Sequence, residues 1–66
     1  MFLYKGFLGS AEYSHAECIY FGQIENVKDT VIYEARTTEE LSKSFEKAVD
    51  DYIELCEKNS KEIIYI

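Results

Sequence analysis

An amphipathic helix predicted over residues 37–59 constrains the fold of this 66-residue chain more than any other feature. Thr37 followed by Glu40 has the spacing of a capping box, and Asn59 marks the predicted C-terminal end. Between them, apolar side chains recur at intervals of three and four and share one stripe: Leu41, Phe45, Ala48, Val49, Tyr52 and Cys56. Because this stripe must be buried, the rest of so short a chain has to form the layer that covers it.

Three segments before the helix predict β-strands. Residues 3–13, 18–24 and 30–36 are rich in β-branched and aromatic side chains, and polar turns separate them. After the helix, residues 62–66 predict a fourth strand, which a right-handed connection places parallel to the first. We therefore expect one α+β domain over residues 1–66. Its elements follow as β-β-β-α-β, with a four-stranded mixed sheet in the order 3-2-1-4 and one helix packed on one face.

Apolar side chains occur at both alternate sets of strand positions, which predicts that neither face of the sheet is left to solvent. The helix covers one face, and a second copy of the chain is expected to cover part of the other. We predict a homodimer or homotetramer with four residues in the contact: Tyr4, Leu8, Ile19 and Phe21.

Three glycines interrupt the predicted strands: Gly6, Gly9 and Gly22. Glycine weakens a strand interior, so each position has a local cause. They mark either bulges and close approaches of a neighbouring ring or backbone, or local bends without functional meaning.

The chain is strongly acidic, with a formal net charge of −6 and a pI near 4.6. Binding to nucleic acid requires clustered lysine and arginine, so this charge argues against it and favours a basic protein partner. Residues 37–62 contain eight acidic residues against four lysines. One helix face collects four of the acids: Glu46, Asp50, Glu54 and Glu57. This stripe is either a solvated surface or one that steers and docks a cationic partner.

Few other residues are candidates for chemistry. His15 lies in a predicted turn without the partners of a general base, so we expect an exposed turn histidine. Cys18 and Cys56 are too few for the disulfide framework of a secreted mini-domain, and we interpret them as free, buried thiols of a cytoplasmic protein. No stretch approaches the ~20 apolar residues of a membrane span. We therefore expect no catalytic residues, no metal and no cofactor.

Three phrases in fixed order resemble a known family. They are residues 4–10 (YKGFLGS), residues 21–24 (FGQI) and residues 49–52 (VDDY), the last within the predicted helix. Together they resemble the N-terminal domain of HicB-type antitoxins. The resemblance implies a reduced ribonuclease H-like arrangement without its active site, and a role in neutralising HicA, a basic toxin that cleaves messenger RNA. Most members carry a DNA-binding domain after the part that resembles this chain, and we expect that domain to be absent here.

The residues and the resemblance together predict a non-enzymatic HicB-like antitoxin core. It would bind and neutralise a small, basic, RNA-cleaving toxin of the HicA type, with the acidic helix face as the docking surface. The alternative is a stand-alone oligomeric adaptor of the same fold without a toxin partner. An enzyme is the third hypothesis, and the first predicted strand lacks the central carboxylate with which ribonuclease H-like nucleases hold metal ions.

The charge predicts the outcome of a nucleic-acid binding assay. The chain should bind neither duplex DNA nor RNA specifically in physiological salt, because phosphate contacts depend on clustered cations. Fluorescence anisotropy with labelled duplexes of different sequence measures this. Sequence-dependent binding at submicromolar concentration would contradict a protein partner as the ligand of this domain.

Overall fold

The computed structural model describes residues 1–64, and its longest element is the predicted helix, α1, at Thr38–Lys58. The Thr37 side chain accepts a hydrogen bond from the Glu40 amide at 3.1 Å, as the capping box predicts. Glu39 and Glu40 lie in the first turn, where negative charge is favoured by the helix dipole. The predicted helix start is confirmed.

The end of α1 is also where the sequence places it, at Asn59. Ser60 follows with a left-handed φ of 53°, a conformation that glycine usually supplies. The amide of Lys61 donates to the carbonyl of Cys56 at 2.7 Å and the amide of Ser60 to that of Glu57 at 3.2 Å. These two bonds form a Schellman motif, which turns the chain out of the helix and back toward the sheet layer.

Five short strands precede the helix: β1 at Phe2–Tyr4, β2 at Phe7–Gly9, β3 at Glu12–Ser14, β4 at Ile19–Gln23 and β5 at Ile32–Ala35. They form a two-stranded sheet, β1–β2, and a three-stranded sheet, β3–β4–β5, both antiparallel. A single bridge between Gly9 and Ile24 joins the two sheets. The α+β class and the three-strand meander before the helix are thus present.

The predicted first strand, residues 3–13, differs from the structure because the chain reverses at Lys5 and Gly6. Both residues have positive φ, 50° and 83°, and Tyr4 pairs directly with Phe7 across the turn. Two central residues with positive φ are the requirement of a type I′ turn, whose twist suits a hairpin. β1 therefore folds back on β2 and occupies the edge that the sequence assigned to the fourth strand.

The predicted fourth strand is not seen in the described residues. Residues 61–64 carry no strand, and Tyr65 and Ile66 lie outside the described residues. Ile64 instead accepts a hydrogen bond from the amide of Lys28 at 3.0 Å, so this segment meets the loop between β4 and β5. In place of one four-stranded sheet in the order 3-2-1-4, the structure has two small sheets.

Ser10, which together with Ala11 separates β2 from β3, leaves the register against β4 unchanged. Its amide donates to the Gln23 carbonyl at 3.0 Å, and its hydroxyl oxygen accepts from the Gln23 amide at 3.0 Å. The side chain thereby replaces the carbonyl in the ladder. The freed carbonyl of Ser10 turns toward α1 and accepts a bond from the Tyr33 hydroxyl at 2.6 Å.

The core lies between α1 and the sheets. It contains five α1 residues and four from the strands and loops: Phe7, Ile24, Val27, Tyr33, Leu41, Phe45, Val49, Tyr52 and Cys56. Every residue of the predicted helical stripe contributes, with Ala48 partly buried. The prediction of one helix packed on one face is confirmed.

Two of the three glycines mark close approaches rather than simple bends. A Cβ at Gly9 would lie 2.6 Å from the Phe45 ring, and one at Gly22 would overlap the carbonyl oxygen of Ser10. Gly6 differs, because nothing lies within 4 Å of its missing Cβ and its role is the positive φ of the turn. The sequence allows either a close approach or a local bend at each glycine. The structure shows a close approach at Gly9 and Gly22 and a positive-φ turn at Gly6.

Alanine substitutions at Gly22 and Gly6 should distinguish the two causes, which are a close approach and a positive φ. Gly22→Ala should cost about 3 kcal/mol or more, because the new methyl overlaps backbone that is held in place. Gly6→Ala should cost only about 1 kcal/mol, the price of a left-handed φ for a residue with a Cβ. Urea denaturation of both variants measures the difference, and equal losses would contradict this assignment.

Candidate protein-binding site

The hairpin decides which residues share a face of the sheets. Phe2 stacks on Phe45 with ring centroids 5.6 Å apart, and the hydroxyl of Tyr4 donates to Asp50 at 3.3 Å, so both lie on the α1 side. Alternation along a strand then places Leu3 on the opposite side, where it is 71% exposed.

Leu8 also lies on the side away from α1. It alternates with Phe7, which is buried in the core, and it pairs across the hairpin with Leu3. The predicted self-association contact combined Tyr4 with Leu8, but the structure places them on opposite faces. The positive-φ turn is the reason, because it reverses the chain between Tyr4 and Leu8. In one continuous strand, these two residues would have been on the same face.

No helix among residues 1–64 covers the side of the three-stranded sheet turned away from α1, and we call this side the outer sheet face. Its apolar centre consists of Ile19, Phe21 and Ile32, of which Ile32 is 66% exposed. Phe21 pairs with Glu12 on one side and Glu34 on the other. Direct cross-strand partners share a face, so a carboxylate flanks the phenylalanine ring in both directions.

Two shallow depressions meet on the outer sheet face. The first, of about 380 Å³, is lined by Ser10, Glu12, Phe21, Gly22, Gln23, Glu25 and Ile32. The second, of about 310 Å³, is lined by Ser14, Glu17, Ile19, Phe21, Ile32 and Glu34. Phe21 and Ile32 belong to both, and neither depression is lined by lysine or arginine. The result is a concave surface in which Phe21 and Ile32 lie among glutamates and other polar side chains.

The acidic helix face predicted from the sequence forms a second candidate surface. Its four residues are all exposed on one side of α1: Glu46, Asp50, Glu54 and Glu57. The carboxylate of Asp50 is engaged, since the Lys5 ammonium lies 2.8 Å from it. The hydrogen bond from Lys5 lowers the pKa of Asp50, and the same contact raises the pKa of Lys5. One of the four predicted docking charges is therefore already paired within the chain.

Sequence reasoning missed the contact between Lys5 and Asp50. In a continuous first strand, Lys5 would have been one of several mid-strand residues. The Lys5-Gly6 pair, read as the two central residues of a type I′ turn, would have placed the lysine at a loop tip where it can reach the helix.

Asp29 attaches the loop between β4 and β5 to the C-terminal part of α1. It accepts hydrogen bonds from the Tyr52 hydroxyl at 2.9 Å and from the Lys61 ammonium at 2.5 Å. The bond from Lys61 lowers the pKa of Asp29, while burial raises the pKa of the Tyr52 phenol. Together with the Lys28 amide, these contacts hold the start of β5, and with it Ile32, in position.

The candidates for chemistry, His15 and the two cysteines, lie apart from the centres of the outer sheet face and the acidic helix face. His15 is exposed in the β3–β4 turn, as predicted, and its ring meets Tyr13 edge-on at 4.9 Å. Both cysteines are free, but only Cys56 is buried. Cys18 is exposed, which corrects the prediction of a buried thiol. It ends the turn with a φ of 55°, and this placement leaves its side chain outside the core.

Residues 1–64 contain neither a cluster of metal-ligating side chains nor a helix suited to cross a membrane. No three side chains of His, Cys, Asp or Glu in this part of the chain come together as a metal site. No helix among these residues combines the length and apolar character that crossing a bilayer requires.

Comparisons with known proteins add no relatives. No protein-family model matches the chain, and neither the curated proteins nor the solved structures compared with it gave a significant match.

The pair of Lys5 and Asp50 predicts a titration. Because the folded-state pKa of Asp50 lies below its unfolded value, the pair stabilises the fold above that unfolded value and loses this contribution as the pH falls through the folded-state pKa. In an NMR titration, Lys5→Gln should raise the pKa of Asp50. The control Lys43→Gln, at an exposed lysine of α1, should leave the pKa of Asp50 unchanged. Identical titrations of Asp50 in the unaltered chain and in both variants would refute the pairing.

Proposed function

We propose that this chain is a non-enzymatic HicB-like antitoxin core that binds and neutralises a small basic, RNA-cleaving toxin of the HicA type. The observation that carries the proposal is the outer sheet face, where Phe21 and Ile32 lie among glutamates in a molecule of net charge −6. Such a surface suits a cationic protein and repels RNA. Inhibition would be steric, with the bound chain covering the toxin's RNA-binding surface and catalytic histidine.

The resemblance supports the same proposal from the sequence side. It also implies the reduced ribonuclease H-like arrangement and a cytoplasmic protein, and both belong to the proposal. The element order β3–β4–β5–α1, a meander followed by a helix that covers one face, is consistent with that arrangement. The predicted homodimer or homotetramer remains a prediction.

An inhibition assay tests the proposed function. A HicA-type toxin should lose its RNA-cleaving activity when this chain is added in near-stoichiometric amounts, because one bound copy blocks one active surface. A gel-based cleavage assay gives the stoichiometry, and a toxin variant without its catalytic histidine allows binding to be measured by surface plasmon resonance. Cleavage that persists in large excess of the chain would refute the proposal.

The second candidate is a stand-alone oligomeric adaptor, which the uncovered apolar side chains favour. Leu3 and Ile32 are 71% and 66% exposed, and an adaptor would bury them between copies. Two copies meeting through acidic faces repel each other, so salt should strengthen this association. Sedimentation at low and high ionic strength measures it, and a monomer of 7.7 kDa in both conditions would exclude the adaptor.

A further inference from the structure

We propose that the outer sheet face, and not the acidic helix face, is the docking surface of this chain. Its occupant is a basic protein that places an apolar side chain against Phe21 and Ile32 and lysines or arginines against the surrounding glutamates. The inference rests on the proposed function in one respect, since the basic protein is taken to be the HicA-type toxin.

The apolar centre gives the first argument. Energetic centres of protein interfaces are apolar or aromatic side chains in a desolvated depression, surrounded by a polar rim. Phe21 and Ile32 line both depressions of the outer sheet face, so they lie where such a centre is required. α1 covers the other side of the same sheet, and Phe21 is partly exposed and lies outside the core cluster that α1 forms with the strands.

Charge gives the second argument and selects the occupant. Four glutamates line the two depressions: Glu12, Glu17, Glu25 and Glu34. Among the described residues the ion pairs engage only Asp50 and Asp29, so these four carboxylates have no cationic partner there. A basic protein would supply the missing cations. Rim charges of this kind mainly raise the association rate and select the partner.

The same charges disfavour a second copy as the occupant. Two outer sheet faces in contact would bring the glutamates of both copies together at short range, where like charges destabilise an interface. A nucleic acid is disfavoured for the same reason, because its phosphates would meet carboxylates.

The acidic helix face lacks what the outer sheet face provides. Asp50 is held by Lys5 and Tyr4, and Glu46 and Glu54 project from α1 into solvent. Charge without an apolar centre steers an approaching partner but contributes little to the lifetime of the complex. The helix face is therefore assigned to long-range attraction only.

Two matched charge-reversal variants test the assignment. Glu12→Lys with Glu34→Lys alters the outer sheet face, and Glu46→Lys with Glu54→Lys makes the same change in net charge on the helix face. In surface plasmon resonance with a catalytically inactive HicA-type toxin, the first variant should weaken binding by at least about 30-fold. The second should change it by less than about 5-fold, mainly through the association rate.

Ile32→Ser tests the apolar centre separately. Ile32 is exposed at the sheet edge, so this change removes contact area for a partner while leaving the buried core intact. We expect faster dissociation of the toxin with an unchanged association rate. If either lysine variant fails to fold by circular dichroism, Glu12→Gln with Glu34→Gln should show a smaller loss of affinity in the same direction.

NMR chemical-shift mapping on the unaltered chain gives a result that does not depend on variants. Toxin binding should perturb the amides of Phe21 and Ile32 more than those of Glu46 and Glu54. The reverse pattern, or a loss of affinity confined to the helix-face variant, would overturn the inference while the antitoxin function stands. Perturbation of the outer sheet face by concentration alone would make a second copy the occupant and overturn it too. Absence of any toxin binding by the unaltered chain would refute both the function and the inference.

Discussion

The contact of Tyr33 with the sheet is the constraint on which the rest of this fold depends. Its hydroxyl lies over two positions without side chains, Gly9 and Gly22, and donates a hydrogen bond to the carbonyl of Ser10. Burial raises the pKa of this phenol to about 12, so the hydroxyl remains a donor throughout the physiological range. Because Gly9 has no Cβ, the Tyr33 hydroxyl and the Phe45 ring can both lie against it, and the Tyr33 and Phe45 rings pack with their centroids 5.4 Å apart.

The helix could be predicted from sequence because local signals encode it. Its cap, its stripe and its C-terminal stop all depend on residues within a few positions of one another, and all are present. The first strand was mispredicted because the deciding signal is a single dipeptide. Lys5-Gly6 resembles an interrupted strand in composition, and only the positive φ of both residues distinguishes a hairpin. The face of Tyr4, which precedes this turn, was mispredicted for the same reason.

The two acidic surfaces illustrate why charge alone identifies a binding site poorly. From the sequence, the helix face was the more visible, since periodicity groups its four acids directly. The outer sheet face is formed by three strands and two connections. Glu12 and Glu34 are distant in sequence, yet both are cross-strand neighbours of Phe21. Cross-strand pairing of this kind follows from register, which depended on the turn and on the hydroxyl of Ser10. No local pattern in the chain contains that information.

The left-handed conformation of Cys18 has a practical consequence for experiments on this protein. The chain has two cysteines, and the other, Cys56, is only 2% exposed, so maleimide reagents should modify a single position. That position precedes Ile19 at the border of the outer sheet face. A fluorophore attached there would report directly on events at this border. The same thiol would also cross-link two molecules covalently in an oxidising buffer, so a reductant is needed before any apparent dimer is attributed to non-covalent assembly.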